Sequence, residues 1–172
     1  MTTAPIRPMS QRDPAEPARL VNARRFLMGI TTSNSADVLP LLAPDVVYTV
    51  PGHSPLAGVF HGRAQVEAHI RQLFNATSGT FDVLKTVDWM VGLTNVAVIQ
   101  YAQAQAGGVT YRNYHLFVFE TDPHDLLTNI WLFFEDPDEV DRLFAKVPRK
   151  QAEPTHHSPD KGDVGSPDSS TS

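Results

Sequence analysis

Along this chain, apolar residues recur every three to four positions in some stretches and every second position in others, and the two spacings predict helices and strands respectively. In "PARLVNARRFLMGIT", Leu20, Ala23, Leu27 and Ile30 fall on one helical stripe with the arginines off it, which predicts a first helix. "NSADVLPLLAPD" predicts a short second helix with Val38, Leu41 and Leu42 on one side, weakened by Pro40 and stopped before Pro44. "DVVYTV" is β-branched and aromatic, a strand ended by "PGHSP". A third helix is predicted after Gly62, burying Val66, Ile70, Leu73 and Phe74 and broken by "NATSG". Four longer strands follow, over about 80–91, 95–105, 109–121 and 126–135, separated by the turn-like segments "GLTN", "AGG" and "TDPHD". "PDEVDRLFAK" closes the series as a short amphipathic helix, with Pro137 near its start and Val140, Leu143 and Phe144 to bury.

Helices gathered in the N-terminal half and a strand meander after them predict an α+β fold of order α-α-β-α-β-β-β-β with a short C-terminal helix. Three helices packed on a strongly curved, mostly antiparallel sheet would give a cone-shaped, barrel-like body with an open mouth. Polar side chains on the inner face of that sheet would line a pocket.

The chain has 172 residues, 41% of them hydrophobic, enough for a single domain with a core. That domain is placed at 16–147, because the two ends differ in composition. Residues 1–15 are rich in Pro and Thr and read as a flexible arm, and 148–172 are almost devoid of apolar residues and read as a disordered tail. His156 and His157 in that tail read as a solvated pair. The formal charge is -5, and the 14 basic residues are scattered, which leaves no electrostatic footprint for nucleic acid or an anionic membrane. With no run of about 20 apolar residues for a membrane span and no signal-like N-terminus, a soluble cytoplasmic protein is expected. Cysteine is absent, which excludes disulfides, thiolate catalysis and cysteine-held metals. No two histidines stand at i, i+4 on a predicted helix, so neither a metal nor another cofactor is expected.

Chemistry is therefore left to histidine, tyrosine and carboxylates, and "VTYRNYHLFVFE" concentrates the first two. Residues two apart on a strand share a face, so Tyr111, Asn113 and His115 line up and are followed by Phe117 and Phe119. A polar-to-aromatic gradient of this kind suits an amphipathic small molecule. His115 is the candidate acid–base group, because an imidazole pKa near about 6.5 allows both proton acceptance and donation near neutrality. Tyr111 or Asn113 would orient it or polarise a carbonyl. Tyr48, His53, Phe117, Leu132 and Phe134 are the expected contacts to a bound molecule. Trp131 is added to them, although it reads first as a packing residue beside Phe133. His61 and the pair Glu135 and Asp136 are weaker candidates, since Asp136 is well placed to cap the last helix.

The element order, together with "DVVYTVPGHSPLAGVFHGRAQVEAHI" and "YHLFVFETDPHDLLTNIWLFFEDPDEVDRLF", resembles the SnoaL-like and ketosteroid-isomerase-like branch of the nuclear transport factor two-like superfamily over about residues 17–146. The segment "PLAGVFHGRAQV" is the most specific piece: Gly58 and Gly62 frame an extended connection and Arg63 opens the third helix. The resemblance implies the cone and dimers through the outer sheet face, for which Tyr114, Leu116 and Val118 are apolar enough. It also locates the catalytic positions of its relatives. The base carboxylate of ketosteroid isomerases falls near Val50, their helix-one tyrosine has no counterpart, and their protonated Asp falls on His115. The acid–base Asp of SnoaL-like cyclases falls on Leu132, and the Arg and two Asp residues of limonene-epoxide-hydrolase-like members find no match. Three readings stand together: a cofactor-free acid–base enzyme (isomerase, cyclase or dehydratase) acting on a hydrophobic carbonyl compound, a non-catalytic binder of such a molecule, and a dimeric interaction module.

Overall fold

The computed structural model describes residues 16–32 and 34–147; the expected arm over 1–15 and tail over 148–172 lie outside the described residues. Helix α1 (Ala18–Thr32) forms on the predicted stripe and buries Leu20, Ala23, Leu27 and Ile30, together with Phe26. Its Gly29 is a contact point: a Cβ there would stand 2.0 Å from Val38 Cγ2, so the next segment packs directly against the helix backbone. That segment is less helical than its apolar spacing suggested. A single turn, α2 (Ser35–Val38), passes into a 3-10 turn over Leu39–Leu41 that accommodates Pro40. The chain is already extended at Leu42, and β1 runs Leu42–Val50 through Pro44.

The connection framed by Gly58 and Gly62 is a further strand, β2 (Gly58–His61), paired antiparallel to β1. Gly62, at φ 73°, makes the sharp entry into α3 (Gly62–Thr77), and Arg63 Nε donates to the Leu42 carbonyl at 2.9 Å, which ties that entry to the start of β1. The meander follows as β3 (Asp82–Val91), β4 (Asn95–Ala106), β5 (Val109–Thr121) and β6 (Leu127–Phe134), and α4 (Pro137–Phe144) ends the described chain.

The six strands make one sheet in the order β2-β1-β6-β5-β4-β3. All pairs are antiparallel except β1 with β6. The curved sheet presents Val46, Tyr48, Val98, Phe117, Phe119 and Ile130 to α1 and α3 as the main core. Edge-to-face contacts of Phe26 with Tyr48 (6.0 Å) and Phe119 (5.7 Å) join α1 to the sheet. A second, smaller cluster holds Leu56, Ala104, Tyr111, Val140 and Phe144, so α4 and the β1–β2 loop close one end of the body. No described helix is long and apolar enough to cross a membrane.

Candidate functional site

Burial alternates residue by residue along β5, and Tyr111, Asn113, His115, Phe117 and Phe119 are all buried on one face while Arg112 and Tyr114 are exposed on the other. The polar trio is thus directed inward, yet its members have different surroundings. Asn113 is consumed by structure. Its Oδ1 accepts from the backbone of Glu135 at 2.9 Å and Asp136 at 3.3 Å, and its Nδ2 donates to the Asp136 carbonyl at 3.1 Å. The side chain pins the corner between β6 and α4, and it does not hold His115.

Tyr111 does hold it: the phenol oxygen lies 2.6 Å from His115 Nε2. The imidazole is stacked on Phe81 (5.8 Å, 12° between planes) and meets Phe134 edge-on at 5.1 Å. Burial lowers the His115 pKa to about 4. Tyr111 is pushed above the usual phenol range, by burial first and then by the negative charges of Glu139 and Asp136. Both groups are therefore neutral at neutral pH. Among the described residues the phenol has no other hydrogen-bond partner, so its single proton is best used toward Nε2, which places the imidazole proton on Nδ1. That Nδ1 is buried and has no hydrogen-bond partner among the described residues.

His115 faces a small interior cavity of about 40 Å³. Of the residues expected to contact a bound molecule, Phe117, Leu132, Phe134 and Tyr48 line this cavity, and so does Val50. Val50 and Leu132, two of the three positions on which the resemblance places relatives' carboxylates, are thus wall residues here, His115 being the third, and among the described residues no Asp or Glu lines the cavity. Sequence reasoning missed a second imidazole in the lining. His69 of α3 is 3% exposed, stacked on Phe60 at 4.1 Å and edge-on to Tyr48 at 5.4 Å. Burial lowers its pKa to about 4, and its Nδ1 is also without a partner. Its signal was legible, because residue 69 stands three after Val66 and four before Leu73, on the buried stripe of α3. Ser54 and Leu56 from the β1–β2 loop, and Phe81 before β3, are among the further walls that sequence reasoning missed.

Two expected contacts are placed elsewhere. Trp131 is in register with Val118 and Thr49 on the outer sheet face, since its neighbour Leu132 takes the inner one and adjacent strand residues cannot share a face. His53 lies at the rim beside Gly52 and Val59, with its backbone N–H bonded to Asp141 Oδ2 at 2.7 Å. Asp136 caps α4, accepting from the Glu139 backbone at 2.9 Å. Among the described residues no three His, Asp or Glu side chains come together as metal ligands.

Outside the cavity, an open groove of about 970 Å³ runs between α3, α4 and the β4–β5 turn. Tyr111 is the residue that lines both groove and cavity, and it stands where the two meet.

Comparison with known proteins agrees with this architecture. The model of the SnoaL-like domain family matches residues 23–126. The uncharacterized protein Rv0034 of Mycobacterium tuberculosis is 30% identical over 127 residues, covering 71% of this chain and 92% of that protein. A protein of unknown function with a cystatin-like fold from Xanthomonas campestris superposes with a TM-score of 0.68 at 23% identity, over 74% of this chain and 98% of that one. Rv0760c of Mycobacterium tuberculosis, solved in complex with estradiol-17beta-hemisuccinate, gives a TM-score of 0.60 at 18% identity, over 69% and 94%. With the family model spanning the body of the fold from α1 to the end of the β5–β6 turn, the chain belongs to the SnoaL-like domain family.

Proposed function

We propose that this protein binds a small, largely apolar molecule carrying a hydrogen-bond acceptor such as a ketone, with the acceptor on His115 Nδ1. The observation that carries this reading is the orphaned Nδ1 beside an apolar cavity. An unsatisfied buried donor costs about 1–3 kcal/mol, which a bound carbonyl would recover. The structural neighbour that holds a steroid ester supports the reading, since it shares the fold. At about 40 Å³ the cavity has room for water rather than for a ligand. Binding therefore enlarges it, and the end closed by α4 and the β1–β2 loop, outside the main core, is the wall best able to move.

A catalytic extension, cofactor-free isomerisation, cyclisation or dehydration, is favoured by one observation, the 2.6 Å Tyr111–His115 bond. That bond makes Nδ1–H a polarised donor to a developing enolate oxygen. Full proton delivery would leave a Tyr111 phenolate facing Glu139 and Asp136, whose charges disfavour it. A conjugate acid of pKa about 4 also makes His115 a weak base. The pair is thus suited to holding and polarising a carbonyl, and binding is the primary reading.

Titration with 1-tetralone and with its hydrocarbon tetralin tests it. The ketone is expected to bind about tenfold more tightly, one hydrogen bond's worth, and His115→Leu, checked for folding by circular dichroism, is expected to remove that margin. Absence of saturable binding, or equal affinity for both, would overturn the reading. Protein-dependent exchange of the ketone's α-hydrogens in D₂O, followed by NMR, would show the catalytic extension.

The outer sheet face supports a second assembly-level proposal, a homodimer. Tyr101 and Tyr114 meet at 4.8 Å, and Ile99, Leu116, Phe133, Val118 and Trp131 continue the patch through register pairs. Tyr114 is 42% and Phe133 49% exposed, a contiguous apolar face of the kind that partners cover.

A further inference from the structure

The chain carries a net charge of -5, yet the groove outside Tyr111 reverses that sign. Arg71 from α3, and Arg142 and Lys146 from α4 and the residues just after it, converge on it, against a single carboxylate among the described residues of the lining, Glu139. That carboxylate is already engaged by Asn113 Nδ2 at 3.4 Å. Arg142 stands 4.0 Å from Asp136 Oδ2, and among the described residues neither Arg71 nor Lys146 has an ion-pair partner. Small side chains at Ala68, Ala76 and Ala106 leave the floor between these cations open. The cations come from two helices and face one space, so their fields add within a Debye length. The polarity along the path is consequently ordered: cationic groove, Tyr111, imidazole Nδ1, aromatic interior.

We propose that the molecule bound in the cone is an amphipathic anion, a carboxylate with a compact aromatic or alicyclic body, whose charged head stays in the groove on Arg71 and Lys146 while its body passes Tyr111 into the cavity. This rests on the cavity being a ligand site. It adds the head-group chemistry and the direction of entry. Tyr111 is then the door as well as the support of His115: to admit the body its ring must swing, and the phenol–imidazole bond must open and reform.

The test uses 4-oxo-4-phenylbutanoate, an aryl ketone with a carboxylate at its far end, against its neutral primary amide, titrated into the full-length protein at low and moderate salt. The acid is expected to bind about five- to tenfold more tightly than the amide at low salt, as two partly exposed ion pairs allow. The margin shrinks as salt rises. Arg71→Gln with Lys146→Gln, both on the surface, is expected to abolish the margin of the acid over the amide. Equal affinity of acid and amide for the unaltered protein, with 1-tetralone still binding, would sink the anionic head alone. A margin that survives the double variant but vanishes in His115→Leu would show the carboxylate at the imidazole and overturn the proposed orientation. Failure of tetralone and both phenylbutanoyl probes to bind would remove the ligand site itself, and this inference with it.

Discussion

At position 115 the side chain decides more than its neighbours do, because a buried imidazole with one satisfied nitrogen is stable only as a neutral ring. Removing the phenol partner, Tyr111→Phe, leaves both nitrogens without protein partners and is expected to cost about 1–2 kcal/mol in urea unfolding. His115 and His69 share an electrostatic consequence. Both have folded pKa values of about 4, lowered by burial from 6.5. Between those values the unfolded chain binds more protons than the folded one, so stability rises with pH across that window. It is complete above about pH 6.5 and is lost as pH falls toward 4, by about 2 kcal/mol per histidine at pH 5. Urea midpoints measured from pH 7.5 to 5 should show this slope, and the double change His69→Gln with His115→Gln should flatten it. An unchanged slope would mean that neither ring is buried neutral.

The element on which the site most depends is α4, which has only two turns and is held from outside itself. Asp141 on this helix accepts from the backbone N–H of His53 at 2.8 and 2.7 Å and of Ser54 at 2.7 Å, which fastens the β1–β2 loop over the cavity end. Gly52 is required at the same clamp. Its φ is 112°, and a Cβ would come within 2.5 Å of Asp141 Oδ1. Asp141→Ala is expected to destabilise by about 1–3 kcal/mol and to speed hydrogen exchange of the His53 and Ser54 amides at least about tenfold by local opening. Exchange that accelerates uniformly over the chain would instead report global loss of stability. The clamp links residues 88 apart in sequence, and "PGHSP" showed only a turn, so nothing in the local pattern announced it.

For the whole molecule, the outer sheet face is the feature least satisfied by the monomer. For the dimer proposed on this face, Phe133→Glu with Tyr114→Glu is expected to shift the protein to monomer in size-exclusion chromatography with light scattering, with the circular dichroism spectrum unchanged. A monomer for the unaltered protein would exclude this face as a self-interface. The same sheet shows where sequence reasoning reached its limit. The alternation in β5 was strong enough to give the inward face correctly from Tyr111 to Phe119. β6 is nearly all apolar, so its two faces look alike, and Trp131 was grouped with Leu132 and Phe134 although its side chain lies on the opposite side. β2 is four residues long at an edge, too short for a periodicity to show, and reads as an extended loop.

What the sequence by itself determined was the architecture and the face of each well-patterned element. Local period, turn chemistry and helix caps depend on neighbours a few residues away, and these are written in order along the chain. What the tertiary structure alone decided was the role of each polar side chain. It spent Asn113 on the β6–α4 corner, joined Tyr111 to His115, brought His69 from α3 to the same cavity, and gathered Arg71 and Lys146 on one groove. Those outcomes depend on which donors and acceptors remain unpaired once distant segments pack, and the free energy of an unpaired group is set by its burial, which belongs to the folded whole.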